Sequence, residues 1–300
     1  MSTALETTSL GKRYGRLWAL RDCFLQVPAG CVAALVGPNG AGKTTLLHLA
    51  VGLSRPTTGH VTVFGRTPRD GTAFLSMVGF LAQDHPLYRT FTVAEMLEMG
   101  HKLNPRWDAS LAASRLQALT IPLEQKVGKL SGGQQSQVAL ALTLAKRPQI
   151  LLLDEPLASL DPLARREFLQ MLMTAVAEDG LTVLLSSHII TDLERVCDYL
   201  VILSGGRVQL AGEIDEISRR HKVLSGPRRD EEAVAAVHNV IEVNHTVRQT
   251  TLLVKVNGQL FDPSWDVHDV SLEDIVLAYL GQPPINDLAA GTRNHVEALV

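Results

Sequence analysis

Residues 37 to 45 read GPNGAGKTT, and they stand between an apolar run, Cys31 to Val36, and a helix-like stretch, Leu46 to Val51. The pattern G-x-x-x-x-G-K-[ST] is met at Gly37, Gly42, Lys43 and Thr44, in the strand, loop, helix order that gives it physical meaning. Glycines let the chain curl so that successive N–H groups of Gly37, Pro38, Asn39, Gly40, Ala41, Gly42, Lys43, Thr44 and Thr45, the proline excepted, point at phosphate oxygens. The start of the following helix adds its positive end to the same place. Lys43 is then placed to reach the β- and γ-phosphates, and the Thr44 hydroxyl to ligate Mg²⁺. Glycine-rich turns also follow buried strands for packing alone, so the reading leans on a second segment.

That segment is Ile150-Leu151-Leu152-Leu153-Asp154-Glu155. Four aliphatics closing in two acids is an odd strand end unless the carboxylates face a cation. Asp154 fits a carboxylate holding Mg²⁺ through its water shell, and Glu155 fits a base that orients or deprotonates an attacking water. Two solvated acids at a strand end would be the plainer reading of this stretch taken alone.

The chain has 300 residues, 46% of them hydrophobic, enough for one good core and a smaller satellite. Its net charge of −3 leaves no electrostatic footprint for nucleic acid. Basic residues are scattered apart from Arg219, Arg220, Arg228 and Arg229, a neighbourhood that reads as a solvated linker. Cys23, Cys31 and Cys197 form no C-x-x-C pair, which suggests reduced thiols and a cytosolic setting. The opening MSTALETTSL lacks a basic and an apolar region, so no secretory signal is expected. Apolar stretches such as Val138 to Ala145 and Leu181 to Leu185 fall short of the roughly 18 residues that span a bilayer.

Short strand-like segments at Ala4 to Leu10, Phe24 to Val27 and Val61 to Phe64, with turns at Pro28-Ala29-Gly30 and Thr57-Thr58-Gly59, predict an antiparallel layer. Between Thr92 and Lys129 the apolar residues recur at helical spacing, which predicts a helical insertion. A helix near Leu163 to Glu178 and a strand at Thr182 to Ser186 resume the alternation of a parallel sheet. From about Ser225 a linker leads to a small α+β unit: a helix near Glu231 to His238, a hairpin of Val240 to Val243 with Leu252 to Val256, and a helix opened by Ser271, with Asp274 completing a capping box. Residues 281 to 300 read as a loose tail.

Leu130-Ser131-Gly132-Gly133-Gln134 completes the set. Over about its first 220 residues the chain resembles the ATPase subunit of an ATP-binding cassette (ABC) transporter, with the motifs in the family's order. The resemblance implies an α/β P-loop NTPase fold: a parallel core sheet with an antiparallel β layer and a helical insertion over about 84 to 135, the cassette occupying 1 to 224 and a small C-terminal α+β extension 225 to 300. It places an adenine-stacking aromatic at Tyr14, with Trp18 as a competing stacker, and a glutamine lever at Gln83, which also reaches the metal. It places the signature at Leu130 to Gln134, a loop touching the opposite subunit at Ser159-Leu160-Asp161, and a γ-phosphate histidine at His188, after Ser186-Ser187. Ser131, Gly132 and Gly133 offer a hydroxyl and free N–H groups at a helix start, which in the family closes on the ATP of a second cassette.

The implied cofactors are ATP and Mg²⁺. The implied partners are a second cassette and a membrane-spanning permease subunit that holds the chain at the cytoplasmic face of the membrane, docked through His85 to Val93. Where many relatives carry a basic residue after the signature, this chain has Gln135, Ser136 and Gln137, and Ser159 replaces a common glycine. The ending SLEDIVLAYLG resembles the extension of export cassettes with separate membrane subunits. An importer ATPase is the alternative within transport. A soluble ABC ATPase acting on ribosomes or DNA is the alternative outside it, though the second cassette, long coiled coil or zinc cysteines usual there are not seen.

Overall fold

The structure, a computed structural model, describes residues 2–69, 71–188, 190, 193–228, 232–257 and 264–282. Arg229, Glu231 and the tail beyond 282 lie outside the described residues.

The chain opens with β1 (Thr3–Tyr14) and β2 (Leu17–Pro28), a long antiparallel hairpin. Next come β3 (Val32–Val36), the glycine loop, α1 (Lys43–Ala50) and β4 (Thr58–Val63). β4 joins the hairpin in a three-stranded antiparallel sheet of order β2-β1-β4. After α2 (Gly71–Met77) and β5 (Val78–Leu81) the chain leaves for the helical insertion: α3 (Val93–Leu103), α4 (Ala109–Ala118) and α5 (Gly132–Ala145). It returns through β6 (Ile150–Leu153), α6 (Pro162–Asp179), β7 (Thr182–Ser187), β8 (Tyr199–Ser204) and β9 (Arg207–Glu213). The central sheet has the order β5-β6-β7-β3-β8-β9, parallel except for the last pair.

The central strands are apolar throughout because both of their faces are covered. Every residue of β3, β6 and β7 is buried, as expected of a parallel sheet between layers. Alternate side chains divide between two cores. Val32, Ala34, Leu151, Leu153, Val183 and Leu185 join the core packed by α5 and α6. Ala33, Leu35, Ile150, Leu152 and Leu184 face the other way, onto α1 and the antiparallel sheet. A third cluster, including Val93, Met96, Leu116, Val127 and Val138, holds the insertion together.

The last part is α7 (Ile214–Arg220), β10 (His221–Pro227), α8 (Glu232–Ala235), β11 (Asn239–His245), β12 (Gln249–Lys255), β13 (Asp266–Asp269) and α9 (Leu272–Gly281). Its sheet has the order β11-β12-β10-β13. The hairpin and the final helix lie where the sequence puts them, but the linker expected from Ser225 does not. Ser225, Gly226 and Pro227 continue β10 and pair with Thr251, Thr250 and Gln249. The proline is accommodated because it ends the strand. The capping box at Ser271 forms by half: its hydroxyl accepts the Asp274 N–H at 3.1 Å and donates to the Asp274 carboxylate at 2.6 Å. α9 buries Ile275, Val276 and Tyr279 in the core that α5 and α6 share, so this unit is fused to the central sheet.

Candidate functional site

The loop after β3 folds as it does because two of its glycines have no room for a side chain. A Cβ on Gly37 would run into the carbonyl of Leu203. Gly42, at φ +106°, would set one 2.5 Å from the Ala19 oxygen. Gly42 caps α1 with no side-chain bond to the helix N–H groups, which leaves those donors directed outward for an anion.

A cleft of about 540 Å³ opens at this loop, lined by Ala19, residues 38 to 45, Gln83, Glu155, Ala158 and His188. Lys43 is only 5% exposed. Its ammonium donates to the Gly37 carbonyl at 2.8 Å and lies 3.2 Å from Glu155 Oε1. The other oxygen, Glu155 Oε2, is 2.8 Å from His188 Nδ1. Lysine, glutamate and histidine therefore form one chain across the cleft, although they come from α1, from the end of β6 and from the end of β7.

Parallel pairing explains the convergence. Leu153 is in register with Leu185, so Asp154 and Glu155 leave β6 beside Ser186 at the end of β7. Ser186 is fully buried. Its hydroxyl donates to Asp154 Oδ1 at 2.9 Å and accepts the Glu155 N–H at 2.8 Å. One hydroxyl thus fixes both acids, and it holds Glu155 at φ +45°, a left-handed conformation costly for a side-chain-bearing residue. Sequence reasoning gave Ser186 no role. The available signal was two buried serines closing an otherwise aliphatic strand.

Thr44 and Gln83 are exposed and line the cleft, whereas Asp154, 2% exposed, is not among the lining residues but directly precedes Glu155, which is. A hydroxyl, an amide oxygen and one carboxylate are hard donors of the kind Mg²⁺ takes. They are too few to hold the ion without phosphate oxygens and water.

Other expected residues lie elsewhere. Tyr14 is 52% exposed beside the hairpin turn, with the Lys12 ammonium 5.0 Å from its ring centroid. Trp18 sits under Arg13 in the same region, and the cleft wall on this side is Ala19. None of Ser131, Gly132, Gly133 and Gln134 lines the cleft. Ser131 caps α5 in a full capping box, its hydroxyl accepting the Gln134 N–H at 3.2 Å while Gln134 Oε1 accepts the Ser131 N–H at 3.0 Å. Asp161 caps α6 through Leu163 and Ala164 N–H, both at 3.0 Å. Such a cap stabilises its helix by about 1 kcal/mol. Gln137, one of the three residues that follow the signature, is buried and donates to Glu167 of α6 at 2.8 Å.

Residues 20–158 match the ABC transporter family. The chain is 35% identical over 225 residues to the sulfate/thiosulfate import ATP-binding protein CysA of Escherichia coli, an alignment covering 72% of this chain but 62% of that protein's length. The structure of an ATP-binding subunit of an ABC transporter superposes with a TM-score of 0.66 at 30% identity, covering 72% of this chain and 92% of that one. A dimeric ATP-binding cassette in a post-hydrolysis state, bound to ADP and Pi, superposes with a TM-score of 0.63 at 27% identity, covering 70% of this chain and 98% of that one.

Proposed function

Since the chain belongs to the ABC transporter family and has the fold of its ATP-binding cassettes, we propose that it is an ATP-hydrolysing subunit that powers transport through a separate membrane protein. The observation that carries this reading is the run from Lys43 through Glu155 to His188 beside the glycine loop. That arrangement offers a cation for the terminal phosphates, a carboxylate for the attacking water and an imidazole that fixes the carboxylate.

In this reading the loop N–H groups and the start of α1 bind the phosphates, and Lys43 exchanges Glu155 for the γ-phosphate. Glu155, freed from the ammonium but still held by Ser186 through its backbone, orients the water for in-line attack. His188 keeps the carboxylate aimed. Thr44, Gln83 and Asp154 would hold Mg²⁺, which when bound neutralises charge on the phosphates.

The signature at Ser131 to Gln134 lies outside the cleft of its own chain, which supports its use by a second cassette arranged head to tail. The neighbour bound to ADP and Pi is a dimer, which supports pairing with a second cassette. Among the described residues no helix is long and apolar enough to cross a membrane; in this reading the membrane path belongs to a permease subunit, with the cassette docked at its cytoplasmic face. The resemblance of the C-terminal unit to those of export cassettes supports export. The likeness to CysA, an import protein by its name, favours import as a second reading.

The test is ATP turnover by the purified chain with and without Mg²⁺, with identification of the membrane protein that copurifies. No Mg²⁺-dependent turnover would sink the catalytic reading. Copurification with ribosomes in place of a membrane protein would sink the transport reading.

A further inference from the structure

Gln83 leaves the cleft into a segment bent sharply at His85. The His85 N–H bonds the Ala82 carbonyl at 3.1 Å, its own carbonyl accepts the Leu87 N–H at 2.7 Å, and its φ is +43°. A left-handed histidine is uncommon, and backbone strain of this kind persists where surrounding contacts hold it. The contact here is with α5. His85 Nδ1 lies 3.4 Å from the hydroxyl of Ser136, a fully buried residue one turn into the helix that the signature opens. Ser136 in turn donates to the Gly132 carbonyl at 3.0 Å. With that proton committed, Nδ1 carries the ring hydrogen and donates to Ser136, and Nε2 is a bare acceptor, buried with no partner among the described residues. Burial holds the ring below the ordinary histidine range, against an opposing pull from Asp84, so it is neutral. Leu87, two residues on, packs against both the central core and the core of the insertion.

We propose that His85 is a positioning residue which, through Ser136, carries the position of the Gln83 loop to the signature helix of the same chain. Gln83 faces the nucleotide of its own cleft, whereas the signature faces the nucleotide of the second cassette. The His85–Ser136 link therefore couples the two ATP sites through one subunit. At 3.4 Å the bond is long; a small movement of the Gln83 loop tightens or breaks it, and Gly132 moves with Ser136. The inference rests on the hydrolytic reading above.

The test is steady-state ATP hydrolysis by Ser136→Ala, His85→Asn and the double variant, with ATP binding measured separately. Alanine fits the space of serine, and asparagine accepts the left-handed backbone, so both variants should fold. The expected result is a fall in kcat of about three- to ten-fold in each single variant, with KM and ATP affinity changed by less than about two-fold. The double variant should be no worse than either single one, because both remove the same link. Multiplicative losses in the double variant, an unchanged kcat in Ser136→Ala, or a loss confined to KM would overturn the proposal. A wild-type chain without ATPase activity would overturn the hydrolytic reading as well, whereas an active wild type with an unaffected Ser136→Ala overturns this inference alone.

Discussion

Replacing Glu155 with glutamine should separate its two roles. Glutamine keeps the shape of the side chain and an oxygen for His188, but it cannot take a proton and no longer attracts Lys43. If Glu155 is the base, kcat should fall by about 100- to 10,000-fold. The second effect runs the other way. At 3.2 Å the Lys43–Glu155 attraction is about 5 kcal/mol in an effective dielectric of about 20. Desolvation of the two groups cancels most of that. The part that survives, about 1 to 2 kcal/mol, is what a γ-phosphate must overcome to reach the ammonium, a factor of about 5 to 30 in binding. Glu155→Gln should therefore bind ATP more tightly than the wild type while barely hydrolysing it, and a closed dimer should accumulate.

Phosphate release gives kcat, a titration with labelled ATP gives the affinity, and size-exclusion chromatography in ATP shows the dimer. Hydrolysis at the wild-type rate would refute the base assignment. A large fall in kcat together with weaker ATP binding would refute the exchange argument, because Glu155 would then be holding Lys43 ready for the phosphate.

Gly42→Ala sets a methyl 2.5 Å from the Ala19 oxygen at φ +106°; it should destabilise the chain by about 1 to 3 kcal/mol and weaken ATP binding at least about ten-fold, read by calorimetry. Arg147 joins the cap of α4 to the end of α6, with bonds of 2.7 Å to both Asp108 and Asp179. Arg147→Ala should cost about 1 kcal/mol in denaturant unfolding, since the guanidinium is part exposed. Asp108 is held far below the usual carboxylate range by Ser110, by the Leu111 N–H and by Arg147. Its contribution is complete above about pH 4 and is lost as pH falls towards its folded value; without Arg147 the folded and unfolded values lie closer, so Tm measured from pH 6 to pH 3 should fall by less in Arg147→Ala than in the wild type, the two curves converging in acid. Tyr279→Phe removes the hydroxyl that meets the buried His221 Nε2 at 3.0 Å, which should cost about 1 to 2 kcal/mol and speed amide exchange in α9. Burial holds His221 below its ordinary value, so wild-type stability should decline as pH falls below about 6.5.

The parts of the fold that were legible in the sequence have signals confined to a few residues. Buried aliphatic runs announced β3, β6 and β7, and the glycine loop between β3 and α1 carried its own chemistry. β13 had no such signal: Asp266-Val267-His268-Asp269 is exposed along its whole length, so it shows no alternation and exists because β10 offers it an edge. β10 ends in Ser225-Gly226-Pro227, residues that read as a linker until Thr250 and Thr251 are seen opposite. Lys43, Glu155 and His188 were each legible by motif, but their connection depends on the register of β6 against β7 and was not. Tyr14 is exposed beside the hairpin turn and outside the lining of the cleft, a placement that local sequence does not give because it does not say which way the end of a long hairpin points.

The signature lies away from the cleft, yet it is not free to move independently. A Cβ on Gly133 would come 2.7 Å from that of Ala164, so the first turns of α5 and α6 touch where only a glycine fits. One turn further along, Gln137 and Glu167 join the same two helices. The two motifs expected to meet the opposite subunit, Ser131 to Gln134 and Ser159 to Asp161, therefore sit at the adjoining ends of two helices locked side by side. A second cassette that engages one would necessarily engage the other. A bulky residue at Gly133 would displace the Asp161 loop as much as the signature itself, and the loss of activity it caused could not be assigned to the signature's phosphate contacts alone.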